Sequence, residues 1–171
     1  MRRVIVLVGP KGAGKSTIGD LLEHRLGIRF VRTEPLFLAV HDALGGSHPD
    51  YERRGFEAVS EALKKELATA DTICCESTGA SRYTQWLLDT LGESATVLPI
   101  RVVADNAQCV DRIHHRDATI HIPVSDDRIA QINAVAMKVQ LPWVAEIDNQ
   151  GLFEPDAIVQ LVQTVLTENH E

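Results

Sequence analysis

The run VIVLV (Val4–Val8) leads directly into Gly9-Pro10-Lys11-Gly12-Ala13-Gly14-Lys15-Ser16, which satisfies the pattern GxxxxGK[ST]. No other feature restricts the fold as tightly. A continuous β-branched run suits a strand buried on both faces. Glycines at these offsets let the backbone curl until successive N–H groups point into one hollow. A helix that follows adds the partial positive charge of its N-terminus. The hollow is therefore expected to hold a polyphosphate. Lys15 supplies a mobile cation for the β- and γ-phosphates, and Ser16 a hydroxyl ligand for Mg²⁺. Gly9, Lys11, Gly12, Ala13, Gly14, Lys15, Ser16 and Thr17 form the expected site for ATP with Mg²⁺. A glycine-rich turn that merely starts a helix is the alternative; the phosphate motif needs a strand before it and a helix after it, and the sequence offers both.

Periodic segments alternate in type along the remaining chain. Ser16–Leu26 reads as a helix with Ile18, Leu21, Leu22 and Leu26 on one stripe and Gly27 as its stop. Ile28–Arg32 reads as a second strand, Pro35–Leu44 as a helix, Gly45–Pro49 as a break, and Tyr51–Ala70 as a long amphipathic helix. Then follow a strand (Thr72–Cys75), a helix (Arg82–Leu91), a strand (Ala95–Val103) and a helix (Asn106–Arg116). Asp117–Ser125 has loop character. Ser125-Asp126-Asp127 starts a helix expected to reach Val139. Trp143–Asp148 is the fifth strand, and Pro155–Thr167 closes the chain as a helix.

Such alternation implies an α/β architecture, a five-stranded parallel sheet between two helical layers. Ligands of these sheets bind at the carboxyl ends of the strands. Three strand ends are expected to converge there: Gly9, Thr33–Glu34 and Glu76–Ser77.

Composition narrows the partners. A net charge of −7 over 171 residues repels nucleic acid and anionic lipid, so neither is expected as a partner. No apolar run approaches the ~20 residues of a membrane span. Three cysteines, Cys74, Cys75 and Cys109, contain no CxxC pair, so buried reduced thiols and a cytoplasmic location are expected. His114, His115 and His121 gather in one stretch, where solvent-facing or hydrogen-bonding roles are expected over a zinc site. No guanine-reading Asn-Lys-x-Asp occurs, and the chain is short for a regulatory ATPase. The expectation is one domain, 1–171, acting on a small molecule.

The stretch GAGKSTIGDLLEHRLGIRFVRTE (Gly12–Glu34) resembles the opening of shikimate kinase and related small P-loop kinases. The resemblance implies the three-layer αβα P-loop NTPase fold with a small lid. It also implies an ATP-dependent phosphotransferase whose acceptor lies along residues 34–70. It places Glu34 at the carboxylate that touches the acceptor hydroxyl, where it can take the proton. The alternative is a helix-start glutamate before Pro35. Glu76 resembles a strand-three carboxylate that holds Mg²⁺ through water, and the alternative is a satisfied strand-end carboxylate. Arg112 and Arg116, on a lid at 112–127, match the place of arginines that cover the nucleotide, with Arg116 over the transferring phosphoryl group and Arg112 toward adenine or a phosphate. Their alternative is a pair of surface arginines beside Asp111 and Asp117. Arg53 and Arg54 match the place of arginines that grip an anionic acceptor, against a solvated face shared with Glu52 and Glu57. The chain departs from shikimate kinase at Arg32, where that family has an acidic residue, and at Ser77-Thr78-Gly79, where it has three glycines. Lost catalysis is the competing expectation: a nucleotide-dependent switch or binding module.

Overall fold

The computed structural model describes residues 1–115 and 124–169. The described chain forms β1 (Arg3–Val8), α1 (Lys15–Leu26), β2 (Arg29–Val31), α2 (Glu34–Leu44), α3 (Tyr51–Leu67), β3 (Thr72–Ser77), α4 (Thr84–Gly92), β4 (Thr96–Val103), α5 (Asn106–His114), α6 (Asp126–Ala136), β5 (Ala145–Asp148) and α7 (Pro155–Glu168). The five strands pair in parallel in the order β2-β3-β1-β4-β5. The order reverses beside β1, so the crevice at its carboxyl end opens where the phosphate loop begins.

Alternate residues of β1 feed the two halves of the core. Ile5 and Leu7 pack with Ile18, Leu22, Phe30, Ile100 and Val162 on the face covered by α1 and α7. Val4, Val6 and Val8 pack with Phe56, Val59, Leu63, Ile73 and Leu91 on the face covered by α3 and α4. Cys74 and Cys75 fall on opposite faces and are buried, as is Cys109; all three are unbridged. Burial pushes the Cys75 thiol up to about 12 and Cys74 well above its ordinary value, so both stay protonated.

Several boundaries differ from the sequence expectation, three of them for a visible local reason. β3 runs on through Glu76 and Ser77 because β1 still offers Leu7 and Val8 as ladder partners. α6 stops at Ala136, not Val139, because Lys138 N–H and Val139 N–H turn back to carbonyls three residues earlier. β5 starts at Ala145, not Trp143. Pro99 on β4 accepts from Val144 N–H through its carbonyl, so its missing donor also faces β5, and the ladder begins one residue later.

Gly27 ends α1 with φ +67, its N–H and that of Ile28 closing on Glu23 and Leu22 carbonyls. Gly19 lets α1 lie against β2: a Cβ there would come 2.5 Å from the buried Phe30 ring. Gly19→Ala is expected to destabilise the fold by about 1–3 kcal/mol through overpacking. Urea unfolding with an unchanged m-value checks it.

Candidate active site

The loop between β1 and α1 owes its shape to backbone that only glycine accepts. Gly12 (φ +82) and Gly14 (φ +90) lie in the left-handed region. Each is also hemmed in. A Cβ on Gly12 would meet the Cys109 carbonyl at 2.2 Å, and one on Gly14 the Asn149 Nδ2 at 2.4 Å. α1 starts with no side-chain cap and no acidic residue in its first turn. Its N–H groups and dipole are thus left for an anion.

Lys15 is 7% exposed. Its ammonium donates to the Gly9 carbonyl at 2.8 Å and the Pro10 carbonyl at 2.6 Å. Burial lowers its pKa from 10.5 to about 8, with nearby Glu76 pulling the other way. Ser16 Oγ donates to Glu76 Oε2 at 2.8 Å, so the two residues expected to serve Mg²⁺ meet at the mouth of the loop. A hydroxyl beside one carboxylate is a hard-oxygen donor set that fits Mg²⁺ once phosphate oxygens and water complete it. Among the described residues no group of three His, Cys, Asp or Glu side chains converges as a metal cage.

Glu34 sits at the first turn of α2, after Thr33. Thr33 Oγ1 donates to the Glu76 carbonyl at 3.2 Å, and Gly9 N–H to the Ser77 carbonyl at 3.2 Å, so the ends of β1, β2 and β3 are tied together. Lys11 Nζ lies 3.8 Å from Glu34 Oε1, with both side chains about one-fifth exposed (19% and 20%). The loop therefore meets the β2–α2 carboxylate through its second lysine.

Two asparagines hold the loop from behind through their side chains, contacts that sequence reasoning missed. Asn133 of α6, 1% exposed, accepts from Lys11 N–H at 2.7 Å and donates to the Lys11 carbonyl at 3.1 Å. Asn149, 4% exposed, donates to the Ala13 carbonyl at 2.8 Å. A signal existed for Asn133: it shares the buried face of α6 with Ile129 and Ala136, where an apolar residue belongs.

Arg112 donates to the Gly12 carbonyl at 3.4 Å and the Asn149 carbonyl at 3.0 Å. It thus touches the loop's backbone. Arg116 lies outside the described residues, as do residues 116–123 of the expected lid. The flanks of that stretch are joined by His114 Nε2 and Asp126 Oδ1 at 3.0 Å, and His115 bonds the Asp111 carbonyl. Arg53 pairs with Asp50 at 3.0 Å and Glu57 at 2.7 Å, and Arg54 with Glu57 at 3.4 Å, all along α3. The structure thus brings together Gly9 to Thr17, Glu34, Glu76 and Arg112, and puts Arg53 and Arg54 in ion pairs of their own helix.

A parallel sheet of this order, with a glycine loop leading into α1, defines a kinase-like P-loop fold. The chain belongs to the AAA domain family, whose profile matches residues 4–139. It is 27% identical over 172 residues to a shikimate kinase of Actinobacillus pleuropneumoniae serotype 5b (strain L20), covering 98% of this chain and 95% of that one. A shikimate kinase of Halorhodospira halophila is 36% identical over 98 residues, and there the match spans about half of each protein, 55% of this chain and 54% of the relative. Among solved structures, a sugar kinase from Janibacter sp. HTCC2649 superposes with a TM-score of 0.71 at 14% identity, over 98% of this chain and 95% of that one. None of the described helices is long and apolar enough to cross a membrane.

Two outcomes are expected. Nucleotide binding at pH 9 should take up a proton, because polyphosphate favours the charged form of a lysine that titrates near 8 in the free protein. Calorimetry in two buffers of different ionisation enthalpy reads this, and Lys15→Met should abolish it. The same lowered pKa means the unfolded chain binds this proton more tightly, so Lys15 makes the free fold gain stability as pH rises from about 8 toward 10.5. Second, Asn133→Ala leaves the Lys11 peptide groups without partners. It should cost about 1–3 kcal/mol of stability and weaken ADP binding. Thermal melts with and without ADP check both.

Proposed function

We propose that the protein is an ATP-dependent phosphotransferase that moves the γ-phosphoryl group to a hydroxyl of a small molecule other than shikimate. The approach of Glu34 to the phosphate loop, 3.8 Å from Lys11 Nζ, carries this reading. It sets a carboxylate from a different strand end beside the place where a triphosphate's tail belongs. The acceptor oxygen attacks the γ-phosphorus and forms the new O–P bond. The bond from that phosphorus to the β,γ-bridging oxygen breaks, and ADP leaves with the electron pair. The acceptor's proton passes to Glu34. Lys15 exchanges its two loop carbonyls for phosphate oxygens and holds them in line. Lys11 neutralises charge on the same side. Ser16 and Glu76 would hold Mg²⁺, which supplies charge neutralisation between the β- and γ-phosphates when bound. Arg116 is the proposed cation closing over the transfer, with Arg112 near the nucleotide. Catalysis by such a site is positioning and electrostatics, with no covalent intermediate on the protein.

Departure from shikimate as acceptor is supported by Arg32. It stands where the resembling family has a carboxylate, and here its guanidinium is bonded to Asp20 and lies 5.2 Å from the Phe30 ring centroid. The three cysteines, buried and unbridged, support a reducing cytoplasm as the compartment.

An initial-rate screen over hydroxyl acceptors tests the reaction. Lys15→Ala should lower kcat/KM by about 10²–10³-fold. Glu34→Gln should lower kcat by about 10²–10⁴-fold and leave the ATP KM nearly unchanged. Tight ATP binding with no acceptor-stimulated turnover would instead identify a switch or binding module.

A further inference from the structure

The acceptor end of the crevice carries an unusual balance of charge and rings. Among the described residues, every arginine there that could grip an anion, Arg82 aside, already has a carboxylate. Arg32 is held by Asp20, Arg53 by Asp50 and Glu57, and Arg54 by Glu57. Asp50, Glu52 and Glu57 together outnumber Arg53 and Arg54 at the start of α3. An incoming anion gains the guanidinium of Arg32, Arg53 or Arg54 only by displacing a carboxylate and then staying beside it. Arg82 is exposed, lies 4.9 Å from the Tyr83 ring centroid and donates to its hydroxyl at 3.1 Å.

Aromatic rings occupy the space between these elements. Phe37 of α2 meets Tyr51 and Phe56 of α3 edge-on, with centroids 6.0 and 5.4 Å apart. Phe56 lies 5.9 Å from Tyr83 at a tilt of 33°, and His41 meets Tyr51 at 6.0 Å. Phe37 is laid against the backbone of Gly55, where a Cβ would stand 2.1 Å from its ring. Phe37, Tyr51 and Tyr83 stay partly exposed while Phe56 is buried beneath them. Tyr51 is close enough to Glu34 that the carboxylate's charge, after burial, raises its phenol pKa. The ring wall therefore begins beside the carboxylate assigned to the reacting hydroxyl. His41 Nδ1 is buried with no hydrogen-bond partner among the described residues, and the Asp42 carboxylate lies 3.6 Å from it.

We propose that the acceptor is an uncharged hydroxyl compound that lays a flat or apolar face against Phe37, Tyr51 and Tyr83, with its reacting hydroxyl at Glu34. The inference rests on the kinase reading for the role of Glu34, but the charge and shape of the wall stand apart from catalysis. Aromatic faces select such a ligand, and the paired carboxylates disfavour a carboxylate or phosphate.

The test compares matched pairs that differ by charge, on the full chain saturated with MgADP: shikimate with its methyl ester, and uridine with uridine 5′-monophosphate. Calorimetry reads binding, and a coupled assay with MgATP reads transfer. The neutral member of each pair is expected to bind at least about tenfold more tightly. Glu57→Gln, which releases Arg54 and leaves Arg53 only Asp50, should narrow that gap several-fold without changing ATP hydrolysis in the absence of acceptor. Phe37→Leu should weaken the neutral probes and leave ADP binding unchanged. Tighter binding of the charged members, lost in Arg82→Ala, overturns the proposal, and so does the absence of any heat with both neutral probes. Neutral probes that bind but are never phosphorylated support this acceptor class and count against the kinase reading. Transfer confined to charged acceptors does the reverse.

Discussion

A desolvated ammonium organises the site. Lys15 sits almost out of water, held by two carbonyls of its own loop, and burial lowers its pKa to about 8. Carbonyl oxygens stabilise it less than anionic phosphate would. The free loop is thus a cradle whose central cation is under-compensated, and a polyphosphate relieves that deficit. The glycines that make this possible could not be replaced cheaply. Gly12 and Gly14 combine left-handed backbone with neighbours, the Cys109 carbonyl and Asn149, already inside the volume a side chain would need. Selection of the loop's shape and selection of its ligand are the same physical fact.

Around that cation the chain builds a relay of short polar contacts. Asn133 fixes the Lys11 peptide from both sides, the Lys11 side chain reaches Glu34, and Glu34 opens α2. Asn149 fixes the Ala13 carbonyl and, through its own carbonyl, Arg112. Buried amides suit this task because they pair with a donor and an acceptor at once and carry no charge to desolvate. α6 and the end of β5 thereby set the loop's position, although neither contributes to the phosphate motif.

Much of this was legible before any coordinates. β1, α1 and the loop follow from VIVLV and the glycine spacing, because local backbone preference and burial there agree. The meeting of Ser16 with Glu76 was foreseeable in kind, since a parallel sheet brings strand ends to one edge. Its boundary was not, because the strand's end depends on β1 still offering partners at Leu7 and Val8. The contacts of the two asparagine side chains escaped notice for a related reason. Their meaning lies in contacts 122 and 136 residues away along the chain, which no local pattern encodes. Arg53 and Arg54 show the converse. Their spacing to Asp50 and Glu57 was visible, yet whether the charges would face a ligand or each other is settled only by side-chain geometry.

α2 is where that balance of forces is loosest. Its sequence EPLFLAVHDAL is the most apolar of the helices, yet none of its residues is buried. An apolar helix that leaves Leu36, Phe37, Leu38 and Val40 half-covered gains less from packing than the α1 or α3 faces do. Elements of this kind lie at the low-stability end of a fold, where ligand-binding segments are drawn from. Here the deficit has a direction, because one of these part-exposed side chains, Phe37, belongs to the ring wall. A ligand with a flat or apolar face would supply the contact α2 lacks and would hold its first turn, with the carboxylate, against the phosphate loop. The apolar surface left open by folding and the carboxylate proposed for transfer are carried by one helix, so filling the first would position the second.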